Sequence, residues 1–103
     1  RQLDGSRTPF DQLKEVVDAV GDEIDVLMDG GVQRGTHVLK ALSLGAKAVG
    51  IGRGYLYALA AGGQPAVERA VSLLRNEIER DMKLLGVSRI DQLSPKNLRF
   101  RDI

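Results

Sequence analysis

Two glycine-rich segments hold the residues best suited to chemistry. Asp29-Gly30-Gly31-Val32-Gln33-Arg34-Gly35 opens with a carboxylate and runs through small residues whose backbone N–H groups a ligand can reach, then carries a guanidinium. Gly52-Arg53-Gly54 repeats the combination of glycine and Arg on a smaller scale. Accessible N–H groups, a helix N-terminus and an Arg together form a phosphate cradle, because each presents positive charge to the anion. Either segment alone is weak, since glycines at strand ends also serve simply to turn the chain. His37 is the single histidine. A general base must lie within hydrogen-bond reach of the proton it takes, and His37 reads as a polar helix residue rather than such a base.

The elements that position these residues follow from periodicity. Residues 1–8 (RQLDGSRT) have no apolar period and read as a loop. Thr8-Pro9 is a helix start, and Phe10, Leu13, Val16, Val17 and Val20 recur at helical spacing. Ile24–Met28 reads as a short buried strand, Thr36–Leu44 as a helix closed by Gly45, and Ala48–Ile51 as a second strand. Residues 55–61 suggest a short helix broken at Gly62-Gly63. Pro65 opens a long helix with Val67, Ala70, Val71, Leu74, Ile78, Met82 and Leu85 as its buried stripe, and Gly86 ends it. Ser88–Leu93 reads as a further turn and 94–103 as a polar, basic tail. Alternating helices and strands predict an α/β fold with parallel strands. Both glycine-rich segments then fall at strand C-termini, where such folds place ligand groups. A short helix after the second segment matches the way (β/α)₈ barrels build phosphate sites.

Composition narrows the alternatives. The chain has 103 residues, too few for a whole barrel of ~250 residues. Apolar residues make up 43%, enough for a core. Lys and Arg total 15 against 14 Asp and Glu, a balance that argues against a nucleic-acid surface. Without Cys there is no disulfide framework and no thiolate metal site, and no metal is expected. No apolar run approaches the ~20 residues of a membrane span. Two parallel strands cannot cover their own faces and edges. Together with a start at Arg1 rather than Met, this leads to the expectation of a piece of a larger α/β layer.

At this level of detail the stretch DGGVQRGTHVLKALSLGAKAVGIGRGYLYALA resembles the C-terminal part of the FMN-dependent α-hydroxy acid dehydrogenases and oxidases. Flavin-type lactate dehydrogenases, glycolate oxidase and mandelate dehydrogenase belong to that family. The resemblance continues through ERAVSLLRNEIERDMKLLGV to SRIDQL, and the opening RQLDGSRTPF is similar to the family stretch that follows a His-Gly-Gly or His-Gly-Ala. It implies that residues 1–103 are the C-terminal part of a (β/α)₈ (TIM) barrel, about strand–helix units 6 to 8, with FMN as cofactor. It implies that Arg1 grips the substrate carboxylate, which suits the planar fork of a guanidinium. By the same resemblance Asp29 would meet the ribityl chain of FMN. Gly30, Gly31 and Val32 would line the cofactor, and Gly52 and Arg53, with Gln33 and Arg34, would attend the phosphate.

Two departures qualify the carry-over. Most similar sequences read DGGVRRG, whereas Gln33 stands at the first Arg. Either Arg34 swings in, or Arg53 and backbone N–H groups hold the phosphate with less help. The family's general base is a His three residues before the substrate Arg, a position outside this sequence, so no catalytic residue is assigned within it. The reaction implied for the intact enzyme is oxidation of an L-2-hydroxy acid, first of all L-lactate, to the 2-oxo acid, with a quinone, a cytochrome or oxygen as electron acceptor. The implied partners are the rest of its own barrel and further copies in a homotetramer. The implied location is cytoplasmic, with some bacterial relatives peripheral on the inner membrane face. The alternatives are a non-catalytic FMN-phosphate-binding half-barrel or another phosphate-binding barrel enzyme. Tyr55 and Tyr57 are expected to pack, Arg7 to be solvated, and Asp4 to order its loop through a salt bridge or a direct contact.

Overall fold

The computed structural model describes residues 2–101. Helix α1 spans Pro9–Val20, strand β1 Leu27–Asp29, helix α2 Gly35–Ser43, strand β2 Ala48–Gly50 and helix α3 Arg53–Leu85. Two 3₁₀ turns, Ile90–Gln92 and Pro95–Asn97, follow. Helix α1 starts as its sequence dictates: the Thr8 hydroxyl accepts the Asp11 N–H at 3.2 Å, and Pro9 occupies the first turn. Strands β1 and β2 are parallel neighbours, registered Leu27↔Ala48, Met28↔Val49 and Asp29↔Gly50. Helix α2 is their crossover.

The core lies between this pair and the helices. Leu13 from α1, Val26 and Met28 around β1, Val32 from the following loop, Val38 and Ala41 from α2, and Leu44 and Ala46 before β2 are buried together. Burying a Val, Leu or Met side chain contributes ~1.5–3 kcal/mol, so this cluster is the main force holding α1 and α2 on the strands. Leu74 and Ile78 of α3 pack against it, as does Leu98 from the C-terminal segment. That segment is therefore not a loose tail: the Ser94 N–H donates to Asn97 Oδ1 at 3.0 Å, and the turn seats Leu98.

Several expectations shift. Ile24 lies outside β1 and is 60% exposed, because its N–H bonds the Val20 carbonyl and extends the turn after α1. Helix α3 is continuous in outline but broken at Gly62 and Gly63, whose backbones are non-helical. The break separates residues 53–61 from 64–85, as the glycine pair predicted. Its apolar stripe is only half-buried: Val71 and Leu85 are exposed while Leu74 and Ile78 meet the core. Tyr55 and Tyr57 stand exposed instead of packing. Arg7 is not simply solvated, since its guanidinium donates to Glu15 at 2.7 Å and to the Asp11 carbonyl at 2.9 Å. The radius of gyration is 14.8 Å, above the ~13 Å of a compact domain of this length. Leu27, in a parallel strand, is 68% exposed, although such strands are ordinarily covered on both faces.

Candidate functional site

The β1–β2 register decides where the two glycine-rich segments meet. Asp29 and Gly50 are partners at the C-terminal ends of parallel strands. Neighbouring strands lie ~4.8 Å apart, so the chain leaves both at one edge of the sheet, and the segments become adjacent loops. Asp29 closes β1 with an exposed carboxylate and has no ion pair among the described residues. Gly50 makes room for it, because a Cβ at Gly50 would sit 3.0 Å from the Asp29 Cβ.

Past Asp29 the chain turns through Gly30 and Gly31, with φ of 106° and 74°. Side-chain-bearing residues rarely adopt these values. The space around Gly31 is open, with no atom within 4 Å of a Cβ built there. Val32 then turns inward and is 6% exposed, so its side chain belongs to the core and only its backbone borders the loop. The Gln33 N–H donates to His37 Nδ1 at 3.1 Å, which ties the loop to the first turn of α2. His37 thus has a structural partner, and its Nδ1 acts as an acceptor.

The second loop ends at the start of α3. Gly52 precedes the helix and Arg53 is its first residue. No side chain caps this N-terminus, and the first intrahelical bond runs from the Leu56 N–H to the Gly52 carbonyl at 3.4 Å. The N–H groups of the first turn therefore have no intrahelical acceptor, and the dipole adds positive potential there. Gly52 likewise has open space where a Cβ would lie. Arg53 is exposed and pairs with no carboxylate among the described residues.

The start of α2 is different. Glu77 reaches across from α3 and accepts the Gly35 N–H at 2.7 Å, while the Arg34 guanidinium lies on the same carboxylate at 2.9 Å. This double donation holds the Glu77 carboxyl below its ordinary pKa, the Arg34 hydrogen bond being the largest cause, and pushes Arg34 further up. Arg34 is accordingly engaged on the α3 side. Glu77 was not a sequence candidate; it lies 43 residues from Arg34, and no local pattern marks the pair.

Arg1 lies outside the described residues, so its predicted carboxylate contact has no structural counterpart here. A cavity of about 230 Å³ opens beside the first loop, lined by Phe10, Met28, Gly30, Val32, His37 and Lys40. No group of three or more His, Cys, Asp or Glu among the described residues could hold a metal ion.

An open helix start, an Arg with no carboxylate partner among the described residues and two exposed glycine turns thus lie at one sheet edge, with the Asp29 carboxylate beside them. Residues 1–100 match the family described as FMN-dependent dehydrogenase. The chain is 49% identical to an L-lactate dehydrogenase (cytochrome) of Wickerhamomyces anomalus, covering 100% of this chain and 19% of that protein. It is 47% identical to an L-lactate oxidase of Nostoc sp., covering 90% of this chain and 26% of that protein. Among solved structures, the flavin-binding domain of baker's yeast flavocytochrome b2 superposes with a TM-score of 0.89 at 50% identity, covering 96% of this chain and 26% of that one. The chain thus spans about a fifth to a quarter of the length of these relatives.

Proposed function

Because the chain belongs to the FMN-dependent dehydrogenase family, we propose that it supplies the phosphate end of an FMN site in a 2-hydroxy acid oxidoreductase. The observation that carries this reading is the Asp29↔Gly50 register, which sets the Gly30–Gly31 turn beside the open start of α3. The residues fit the group. Two glycines leave space that a Cβ would occupy, the first turn of α3 offers free N–H groups, and Arg53 adds a full positive charge. Asp29, exposed and without an ion pair among the described residues, would accept hydroxyls of the ribityl chain.

In this reading residues 1–103 are units 6 to 8 of a (β/α)₈ barrel. The exposure of Leu27, Leu56 and Leu59 supports that placement, since neighbouring strands and helices would cover them. FMN, when bound, would supply the two-electron acceptor for the substrate oxidation. This chain's residues bind and orient: Arg53, Gly52 and the α3 N–H groups would hold the phosphate with Gln33 beside it, the backbone of Gly30, Gly31 and Val32 would line the cofactor, and Asp29 would fix the ribityl chain. Arg1 pairs with the substrate carboxylate and stabilises charge that develops beside it. Proton abstraction is assigned to no described residue. The substrate is an L-2-hydroxy acid, L-lactate first, converted to the 2-oxo acid, and the acceptor is a cytochrome, a quinone or oxygen. The protein acts as a tetramer in the cytoplasm or on the inner membrane face. No helix among the described residues is long and apolar enough to cross a membrane.

The test uses the full-length protein that carries this chain. Purified with FMN, it should show bound flavin absorbance that bleaches on anaerobic addition of L-lactate. Bound flavin that no 2-hydroxy acid bleaches would leave only the binding role, and absence of flavin binding would overturn the proposal.

A further inference from the structure

We propose that Glu77 is a positioning residue for the cofactor's phosphate: it fixes the start of α2, and with it the Gly30–Gln33 loop, through one carboxylate shared by the Gly35 N–H and Arg34. The inference rests on the FMN reading given above. Its starting point is a contact between elements distant in sequence. Glu77 sits on α3, and its carboxylate takes the Gly35 N–H at 2.7 Å and Arg34 Nε at 2.9 Å, with Arg34 also bridging at 2.9 Å through its terminal nitrogen. The Glu77 side chain is 22% exposed and that of Arg34 64%, so the Gly35 bond is the sheltered one and the Arg34 pair faces water.

The geometry is close as well as polar. Gly35 is buried, and a Cβ on it would fall 2.6 Å from the Glu77 Cβ and 2.8 Å from the Ile78 nitrogen. The two helices therefore touch backbone to backbone at this point, and Glu77 latches the contact.

Two consequences reach the loop. First, the α2 N-terminus already has its anion, a carboxylate of the protein, so the phosphate is directed to the α3 N-terminus. Second, the loop is held from behind where it runs into α2. Gln33 N–H is bonded to His37 Nδ1 on α2, and Arg34 and Gly35 are bonded to Glu77 on α3. A loop pre-set in this way loses less entropy when it closes on a phosphate. Glu77 thus acts on the phosphate through Gly35 and the loop, without touching it.

The proposal predicts a phosphate-specific defect. In the full-length protein, Glu77→Ala should raise the Kd for FMN about tenfold, while the Kd for riboflavin, which lacks the phosphate, should change less than twofold. Flavin fluorescence quenching reads both. Glu77→Gln keeps an oxygen for the Gly35 N–H but offers Arg34 no charge, and it should fall between wild type and Glu77→Ala. Should Glu77→Ala not fold, Glu77→Gln alone decides: an FMN-selective loss supports the proposal. An unchanged FMN Kd, or equal losses for FMN and riboflavin, overturns it in favour of a purely structural latch. Wild-type protein that binds neither flavin would instead overturn the FMN reading, a separate result visible before any variant is made.

Discussion

Replacing Gln33 with Arg adds a charge where the anion site has the least. Arg34 is bound to Glu77, so Arg53 is the one full positive charge proposed for the phosphate. A charge-assisted hydrogen bond contributes ~1.5–3 kcal/mol in a sheltered setting. Gln33 is exposed, and solvent screening reduces the gain to about 1–2 kcal/mol, or ~5–30-fold in Kd. The Gln33 backbone N–H stays bonded to His37, so the loop should keep its path. Fluorescence titration of the full-length Gln33→Arg protein with FMN should show that tightening. The gain should shrink as salt rises from 0.05 to 0.5 M, flags of an electrostatic origin at about those concentrations. Gln33→Lys should gain less, because an ammonium lacks the planar fork. Unchanged or weaker FMN binding by Gln33→Arg would refute the idea that this position faces the phosphate.

Other perturbations separate the two ends of the cofactor. Arg53→Met should weaken FMN about 10–100-fold while sparing riboflavin, since it removes the charge assigned to the phosphate; titration with both flavins checks this. Gly50→Ala should weaken FMN and riboflavin together, because its Cβ would press on Asp29 at 3.0 Å and displace the ribityl acceptor. The Glu77 latch should be acid-sensitive. Its carboxyl titrates below the ordinary value of 4.5, so its stabilising effect is present above that pH and is lost as pH falls through the lowered value. Urea unfolding of wild type and Glu77→Gln should therefore differ most near neutral pH and converge in acid; a gap that widens in acid would contradict the assignment.

Much of the site was legible because its signals are local. Glycines at the ends of short apolar segments located both loops, and the Gly62-Gly63 pair located the break in α3. Strand identity came from short apolar runs, and their limits moved by a few residues, as at Ile24, where a turn bond to Val20 outcompetes strand pairing. The α3 stripe was overread, because helical periodicity marks a face that wants cover without saying whether this stretch of chain supplies it. Val71 and Leu85 show the difference. Glu77 was illegible: a single charged residue on a polar helix looks like any other, and only the fold brings it to Gly35. The Arg34–Glu77 pair was illegible for the same reason, since the two partners lie 43 positions apart.

The position of the phosphate distinguishes the two helix starts. A crystal structure of the full-length protein with FMN locates it directly. The predicted position is between the Gly30–Gln33 loop and the first turn of α3, within hydrogen-bond distance of Arg53, with Glu77 still bonded to Gly35. A phosphate at the start of α2 with Glu77 displaced, or one out of reach of Arg53, would contradict the account.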